Sequence, residues 1–424
     1  MQSDAKKTRL HSWHVEQGAN MALFGQYEMP LWYPAGAKQE HLAVLESAGI
    51  FDTSHMCSVL VNGSGALDLL QHCFSKDLSA CLGPRGMPLT SGRSVYGVFL
   101  NPAGDVIDDA IIFQIDQEDY MVVINSGMGG PIADHLEKHN TGGRVSISDL
   151  TDNLGKLDVQ GPASARIISQ LIQNPDDVFD RLPYFAFKGH FDPNSAHADA
   201  VRLKDGTPLM ISRTGYTGEF GFELFVDPEQ FVGTWNLILD AGRQFELQPC
   251  GLAARDSLRA GAVLPLSHQD IGPWLFLNNP WSFALPYSDD HKTFTKSFVG
   301  SDALLQAENA DHTLPFAGHD LRKVSTADPA VVVDEDGNTI GRVLTCATDM
   351  AVGRIDGRIY SLASPDKPEG FKPRGLCCGF VKVTAPLKPG QTVHLKDKRR
   401  QIAVEIVDDI RPARTARKKL KDFL

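Results

Sequence analysis

The chain is most informative at first for what it lacks. No apolar run approaches the ~18 residues that span a bilayer, and the opening residues MQSDAKKTRLHSWH contain no apolar centre of a secretory signal. The seven cysteines, at 57, 73, 81, 250, 346, 377 and 378, are odd in number and form no C-x-x-C. Neither a disulfide framework nor a zinc site is expected from that pattern. Cys377 and Cys378 lie in an apolar run and read as buried thiols. A reducing cytoplasm is the expected compartment. Cationic excess is also missing. The formal net charge is −11, which argues against a nucleic-acid or membrane-surface binder. No Walker loop, dinucleotide fingerprint, H-E-x-x-H or G-x-S-x-G occurs, so nucleotide, zinc-peptidase and serine-hydrolase chemistry have no sequence support.

What is present is ordinary globular material: 424 residues, 42% hydrophobic and 22% charged. That length accommodates two to four domains at roughly 100–200 residues each, with a deep cleft between them. Leu67, Leu70 and Phe74 fall on one helical face, with Ser64 placed to cap it. Residues 110–115 and 120–125 read as a hairpin across the turn 116–119, and Lys204-Asp205-Gly206 reads as a second hairpin turn. Asp227 and Pro228 mark a helix start, followed by the apolar stripe Phe231, Trp235, Ile238 and Leu239. From about residue 330 short strands alternate with turns, as expected of a small all-β barrel or sandwich. The boundary is placed near 291–300, giving units 1–295 and 296–424 and an α+β fold with an appended β domain. The stretch from Lys396 onward is rich in Lys and Arg, including Arg411, Arg414 and Arg417. Such a block reads as a solvated, frayed tail, or alternatively as a handle for an acidic partner or a polyglutamate tail.

Four constellations carry chemical potential. Asp108 and Asp109 stand at the entrance of an apolar strand. They read either as turn chemistry or as a carboxylate that steadies a cation or accepts a proton. The stretch from Arg213 to Glu223 has three glycines within seven residues, which let backbone bend closely around a ligand. Arg255 and Arg259 stack at i, i+4 and either meet a ligand or bridge to neighbours such as Asp256. His55, beside an apolar run, reads as a structural histidine before a base.

Together and in order, these segments resemble one family. Asp52-Thr-Ser-His-Met56, Leu100-Asn-Pro-Ala-Gly-Asp-Val-Ile-Asp-Asp109, Val159-Gln-Gly-Pro162, Gly215-Tyr-Thr-Gly-Glu-Phe-Gly-Phe-Glu223, Gly251-Leu-Ala-Ala-Arg-Asp-Ser-Leu-Arg259 and Phe298-Val-Gly300 are similar to the motifs of the glycine cleavage T-protein (aminomethyltransferase) family. The resemblance implies a three-domain ring, with ferredoxin-like α+β N-terminal and middle domains, a C-terminal all-β barrel and tetrahydrofolate in the centre. It implies Asp108 as the catalytic carboxylate, and period-two alternation along the strand then turns Asp109 to the opposite face. Tyr96, Asn125, Tyr216, Glu223 and Arg255 are then folate-binding, and Glu223 accepts two pterin N–H donors. The implied reaction transfers the one-carbon unit of an aminomethyl-lipoyl (H-type) carrier protein to tetrahydrofolate and releases ammonia, without a metal. The chain departs from the family at Leu266-Ser267-His268, at Pro286-Tyr287, in Gly272–Leu277 and at Thr345-Cys-Ala-Thr348. A related demethylase taking a small methyl donor, with His268 or Tyr287 lining its pocket, is the alternative. A non-enzymatic iron–sulfur assembly paralogue is less favoured, because the chain lacks that group's K-G-C-Y-x-G-Q cysteine.

Overall fold

The computed structural model describes residues 5–327 and 329–424. In chain order the elements that position the site are β1 (Gly49–Asp52), β2 (Cys57–Asn62), α1 (Ala66–Cys73), β3 (Arg93–Leu100), β4 (Val106–Gln114), β5 (Asp119–Ile124), α2 (Gly129–His139), β6 (Ser146–Asp149), β7 (Gly155–Gln160), β8 (Phe187–Gly189), β9 (Leu209–Ser212), β10 (Gly221–Val226), α3 (Phe231–Gly242), β11 (Gln248–Pro249) and α4 (Leu252–Gly261). A five-stranded sheet of order β3-β4-β5-β2-β6 is inserted between β1 and β7 of a six-stranded sheet of order β8-β9-β10-β7-β1-β11. One face of the inserted sheet packs on α1 and α2 through Leu69, Leu70, Ile132 and Leu136. Its other face meets the six-stranded sheet through Phe113, Met121, Phe187, Met210 and Phe225. No helix among the described residues is long and apolar enough to cross a membrane.

Six later strands, β12 (His312–Gly318), β13 (Val331–Val333), β14 (Thr339–Asp349), β15 (Leu376–Val383), β16 (Thr392–Lys396) and β17 (Gln401–Ile406), close a barrel of order β12-β15-β14-β13-β16-β17. The fold is therefore α+β with a β-barrel, as the sequence leads one to expect. The barrel is joined to the five-stranded sheet by a shared core of Val98, Leu100, Trp281, Phe298, Leu344 and Phe380.

Three local expectations are corrected. α1 makes no side-chain cap with Ser64, and its buried face is Ala66, Leu69, Leu70 and Cys73, while Leu67 is exposed. α3 begins at Phe231, because the Asp227 carboxylate accepts the Glu229 N–H at 2.8 Å and closes a turn first. Residues 411–424 are not frayed. Arg411 is buried and ion-paired to Asp349 at 2.6 Å and to Glu219 at 3.0 Å. Phe423 then stacks on Phe220, with ring centroids 4.0 Å apart. The segment is a strap running back across the loop before β10.

Candidate functional site

Between the sheets and beneath this strap lies a cavity of about 930 Å³. Tyr96, Asp109, Asn125, Tyr216, Glu223 and Arg255 all line it, although they come from β3, β4, the end of β5, the 213–220 loop, β10 and α4. A wider cleft of about 1460 Å³ beside the barrel contains none of the motif residues. Its walls mix arginines and lysines with apolar side chains such as Val324, Phe371 and Leu376, and none of its carboxylates, Asp320, Glu369 and Asp397, is buried.

The acidic pair divides in the opposite sense to the one expected. Pairing between β3 and β4 skips Ile107, with Val106 opposite Leu100 and Asp108 opposite Phe99. Such a bulge re-aims the residues that follow. Asp108 then shares the parity of Ala110 and Ile112 in the core beneath the sheet, and Asp109 that of Ile111 and Phe113. Asp108 is wholly buried and does not line the cavity, whereas Asp109 does. Tyr96 donates to Asp109 at 2.8 Å, and the Asn125 side chain donates to Asp109 at 2.7 Å and to Asp108 at 2.8 Å. The Asn125 N–H and the Ser267 hydroxyl complete the shell of Asp108 at 3.0 and 2.7 Å. Burial, and then the Asp109 charge, raise the Asp108 carboxyl to about 7. Asp109 is raised too, chiefly by burial. The pair therefore disfavours its doubly ionised form.

The opposite wall is a chain of alternating charge. Glu223 meets Lys156 at 2.5 Å, Lys156 meets Asp158 at 2.8 Å, and Asp158 meets Arg255 at 2.9 Å. Burial alone raises Asp158, but Lys156 and Arg255 outweigh it and hold the carboxyl below the usual range. Four formal charges cancel, which makes the burial tolerable. Thr214 also donates to Glu223, so both Glu223 oxygens are already engaged inside the protein. Each retains a second lone pair toward the cavity. The Arg255 guanidinium lies 4.8 Å from the Tyr216 ring centroid, which fixes the ring as a flat wall.

The glycine-rich loop is shaped by β7. Gln160 donates to the carbonyls of Thr214 and Phe222 at 3.2 and 3.1 Å. Gly215 leaves no room for a Cβ against that amide, and Gly218 sits at φ +76° against Ala262 and Arg414. Arg414 and Arg417 from the strap, with Lys76 and Arg93, bring four cations to the cavity lining, beside Asp408, and Arg414 is paired with Asp409 at 2.5 Å. Sequence reasoning missed Lys156, Asp158, Ser267 and this strap. The alternation Lys156, Asp158, Gln160 along a fully buried strand was the available signal.

Other sequence candidates fall elsewhere. Arg259 takes the structural reading, buried and paired with Asp256 at 2.7 Å and with Asp270. Thr345, at one of the departures from the family pattern, completes that cluster with bonds to Asp270 and Arg259 at 2.6 and 2.9 Å. His55 is buried edge-on to Phe24, and burial lowers it to about 4, so it is a packed neutral ring. Neither His268 nor Tyr287 lines the cavity. His268 stands 3.7 Å from Asp108 on the solvent side, and Tyr287 packs on Phe294 with centroids 5.0 Å apart. The expectation that either lines a small-donor pocket is not met.

Comparison with known proteins bears on the family and the fold. The profile of the GCVT N-terminal domain matches residues 10–275. The chain is 37% identical to the aminomethyltransferase of Chlorobium limicola over 304 residues, covering 72% of this chain and 76% of that one. It is 31% identical to that of Bacillus subtilis, covering 83% and 90%. It is 32% identical to that of Streptomyces avermitilis, covering 95% and 100%. The crystal structure of the glycine cleavage system aminomethyltransferase T from Bartonella henselae superposes with a TM-score of 0.74 at 25% identity, covering 98% and 99%.

Proposed function

The chain belongs to the GCVT family of aminomethyltransferases, and on that premise we propose that its cavity binds tetrahydrofolate while a lipoylated carrier protein presents the aminomethyl group at the mouth. Its activity is that of the glycine cleavage aminomethyltransferase. The aminomethyl carbon forms bonds to N5 and N10 of tetrahydrofolate, and its bonds to nitrogen and to the lipoyl sulfur break. Of the two protons lost from N5 and N10, one reaches the sulfur and one leaves with ammonia as ammonium. The products are methylene-tetrahydrofolate and the dihydrolipoyl carrier.

The proposed division of labour follows the two walls. Asp109, oriented by Tyr96 and Asn125, balances the positive charge that grows on the aminomethyl carbon and N5. Its fixed position avoids reorganisation at the moment of transfer. Asp108, given the catalytic role by the sequence motif, instead supports Asn125 from beneath and sets the charge of the pair. Glu223 receives pterin N–H donors through its remaining lone pairs, and Tyr216 covers the flat ring. The rim of Lys76, Arg93, Arg414 and Arg417 suits the anionic glutamate of the folate.

The observation that carries this reading is that Asp109 lines one cavity with Glu223 and Arg255, the two ends of the buried chain through Lys156 and Asp158. The test is an assay with tetrahydrofolate and aminomethylated lipoyl carrier protein. Ammonia and methylene-tetrahydrofolate in equal amounts are expected, with no methyl-tetrahydrofolate from a panel of small methyl donors. Folate-independent ammonia release, or methyl transfer from a small donor, contradicts it.

A further inference from the structure

On the face of the five-stranded sheet that packs against helices, the end of α1 meets the last two turns of α2. The donor atoms of Cys73, His135 and His139 lie within 4.8 Å of one another. His135 and His139 are four residues apart on α2 and therefore share a face. His72 stands beside the group, with Nε2 at 3.2 Å from Nδ1 of His139. Cys73 is buried, and His135 Nε2 is buried without a hydrogen-bond partner. A buried ring nitrogen left unpaired asks for an explanation. None of the four residues lines the folate cavity, and the proposed reaction uses none of them.

We propose that Cys73, His135 and His139, with His72 as the fourth donor, form a peripheral site for a zinc-class divalent metal ion. Imidazole and thiolate are the donors such an ion prefers, whereas Mg²⁺ and Ca²⁺ need oxygen. Metal bonds of about 2.0–2.3 Å in a tetrahedron set ligand atoms roughly 3.3–3.8 Å apart. The donor atoms of Cys73, His135 and His139, within 4.8 Å of one another, have to close by about 1 Å to reach that spacing. On binding, the Cys73 thiol gives its proton to solvent and the ion gives up water. The charges that face the group are Lys138 on α2 and Lys296, which stands near Cys73. Sequence spacing hides the site because its two halves lie on separate helices. Its effect is structural: the ion clips the end of α1 to α2 above the core of Leu69, Leu70, Ile132 and Leu136.

The test uses the untagged full-length protein, stripped with chelator and titrated with Co²⁺. One equivalent is expected, with a thiolate-to-cobalt charge-transfer band and tetrahedral visible bands, both displaced by Zn²⁺. His135→Asn and the half-exposed His139→Gln should each weaken Co²⁺ binding at least tenfold, and Cys73→Ser should remove the charge-transfer band. Zn²⁺ should raise the melting temperature of the wild-type protein and not that of His139→Gln, while metal-free His139→Gln keeps the wild-type transfer rate. Absence of the charge-transfer band in the wild type overturns the proposal. So does Co²⁺ binding that survives all three substitutions, or an unchanged melting temperature with Zn²⁺.

Discussion

Asp108 and Asp109 accept hydrogen bonds from the same Asn125 amide, at 2.8 and 2.7 Å, yet only Asp109 reaches the cavity. Adjacent residues of a strand face opposite sides, so the pair couples a ligand-facing carboxylate to one sealed beneath Ser267. The two differ in what each contributes, and that difference is measurable.

The first consequence is a stability effect of Asp108. Its folded-state pKa of about 7 lies above the ~3.9 of an unfolded chain. The folded state therefore holds more protons, and stability falls as pH rises between these values. Asp108→Asn keeps much of the shape and removes the titration. Its melting temperature should gain on the wild type by about 3 °C or more between pH 5 and pH 8. Thermal scans at both values check it, and a constant difference between the proteins sinks the assignment.

Glu223 should tolerate little. Glu223→Gln removes the charge that faces Lys156 at 2.5 Å and turns one of the two acceptor oxygens offered to the pterin into an NH2 donor. Tetrahydrofolate binding should weaken by about 1–3 kcal/mol, the scale of a charge-assisted bond. Isothermal titration reads it. Glu219→Gln is the contrast, because Glu219 faces Arg411 and Thr415 instead. It should lower stability with little change in intrinsic folate affinity.

How far the sequence carried can be judged from these residues. The GYTGE loop and the Arg helix were legible because glycine spacing and the Arg255–Arg259 pair are local features. Which of two adjacent acids meets the ligand was not, since the skipped Ile107 lies in a pairing that only the folded sheet sets. Lys156 and Asp158 were passed over because alternating charges on a strand ordinarily mean a solvated face, and here the partner is another buried charge. The barrel's rhythm was read from residue 330, but β12 was missed. Pro315 lies inside it opposite Phe380, and a proline in a run argues against a paired strand.

The strap makes the largest departure from sequence reading, because Arg411 counted as one more surface cation. Burial raises Asp349, but Arg411 and His41 outweigh it and pull its carboxyl well below the usual range. A depressed carboxylate adds stability above ~3.9 that is lost as pH falls further. Arg411→Ala leaves Asp349 and Glu219 without their cation. It should cost about 3–5 kcal/mol at pH 7, the scale of a broken buried pair. Arg411→Lys should retain part of that stability. Urea unfolding of both variants decides it, and a loss below ~1 kcal/mol in Arg411→Ala returns the segment to the solvated reading.

Truncation after Arg411 tests the strap's second role. Removal of 412–424 takes away Arg414 and Arg417 from the rim and uncovers Phe220. The Michaelis constant for tetrahydrofolate should rise several-fold, and its salt dependence should shrink because two cations are gone. An unchanged constant with an unchanged salt response refutes the rim assignment.

The central claim is that Asp109 carries the electrostatic work of transfer and Asp108 supports it. Steady-state kinetics of Asp109→Asn and Asp108→Asn, each beside a tetrahydrofolate titration, test it most directly. Asp109→Asn should lower kcat by roughly 10²–10³, the scale for losing one preorganised electrostatic partner, with folate affinity nearly intact. Asp108→Asn should lose far less, because Asp109 and its Tyr96 and Asn125 donors stay in place. A nearly active Asp109→Asn enzyme, or a larger loss in Asp108→Asn, would contradict the account.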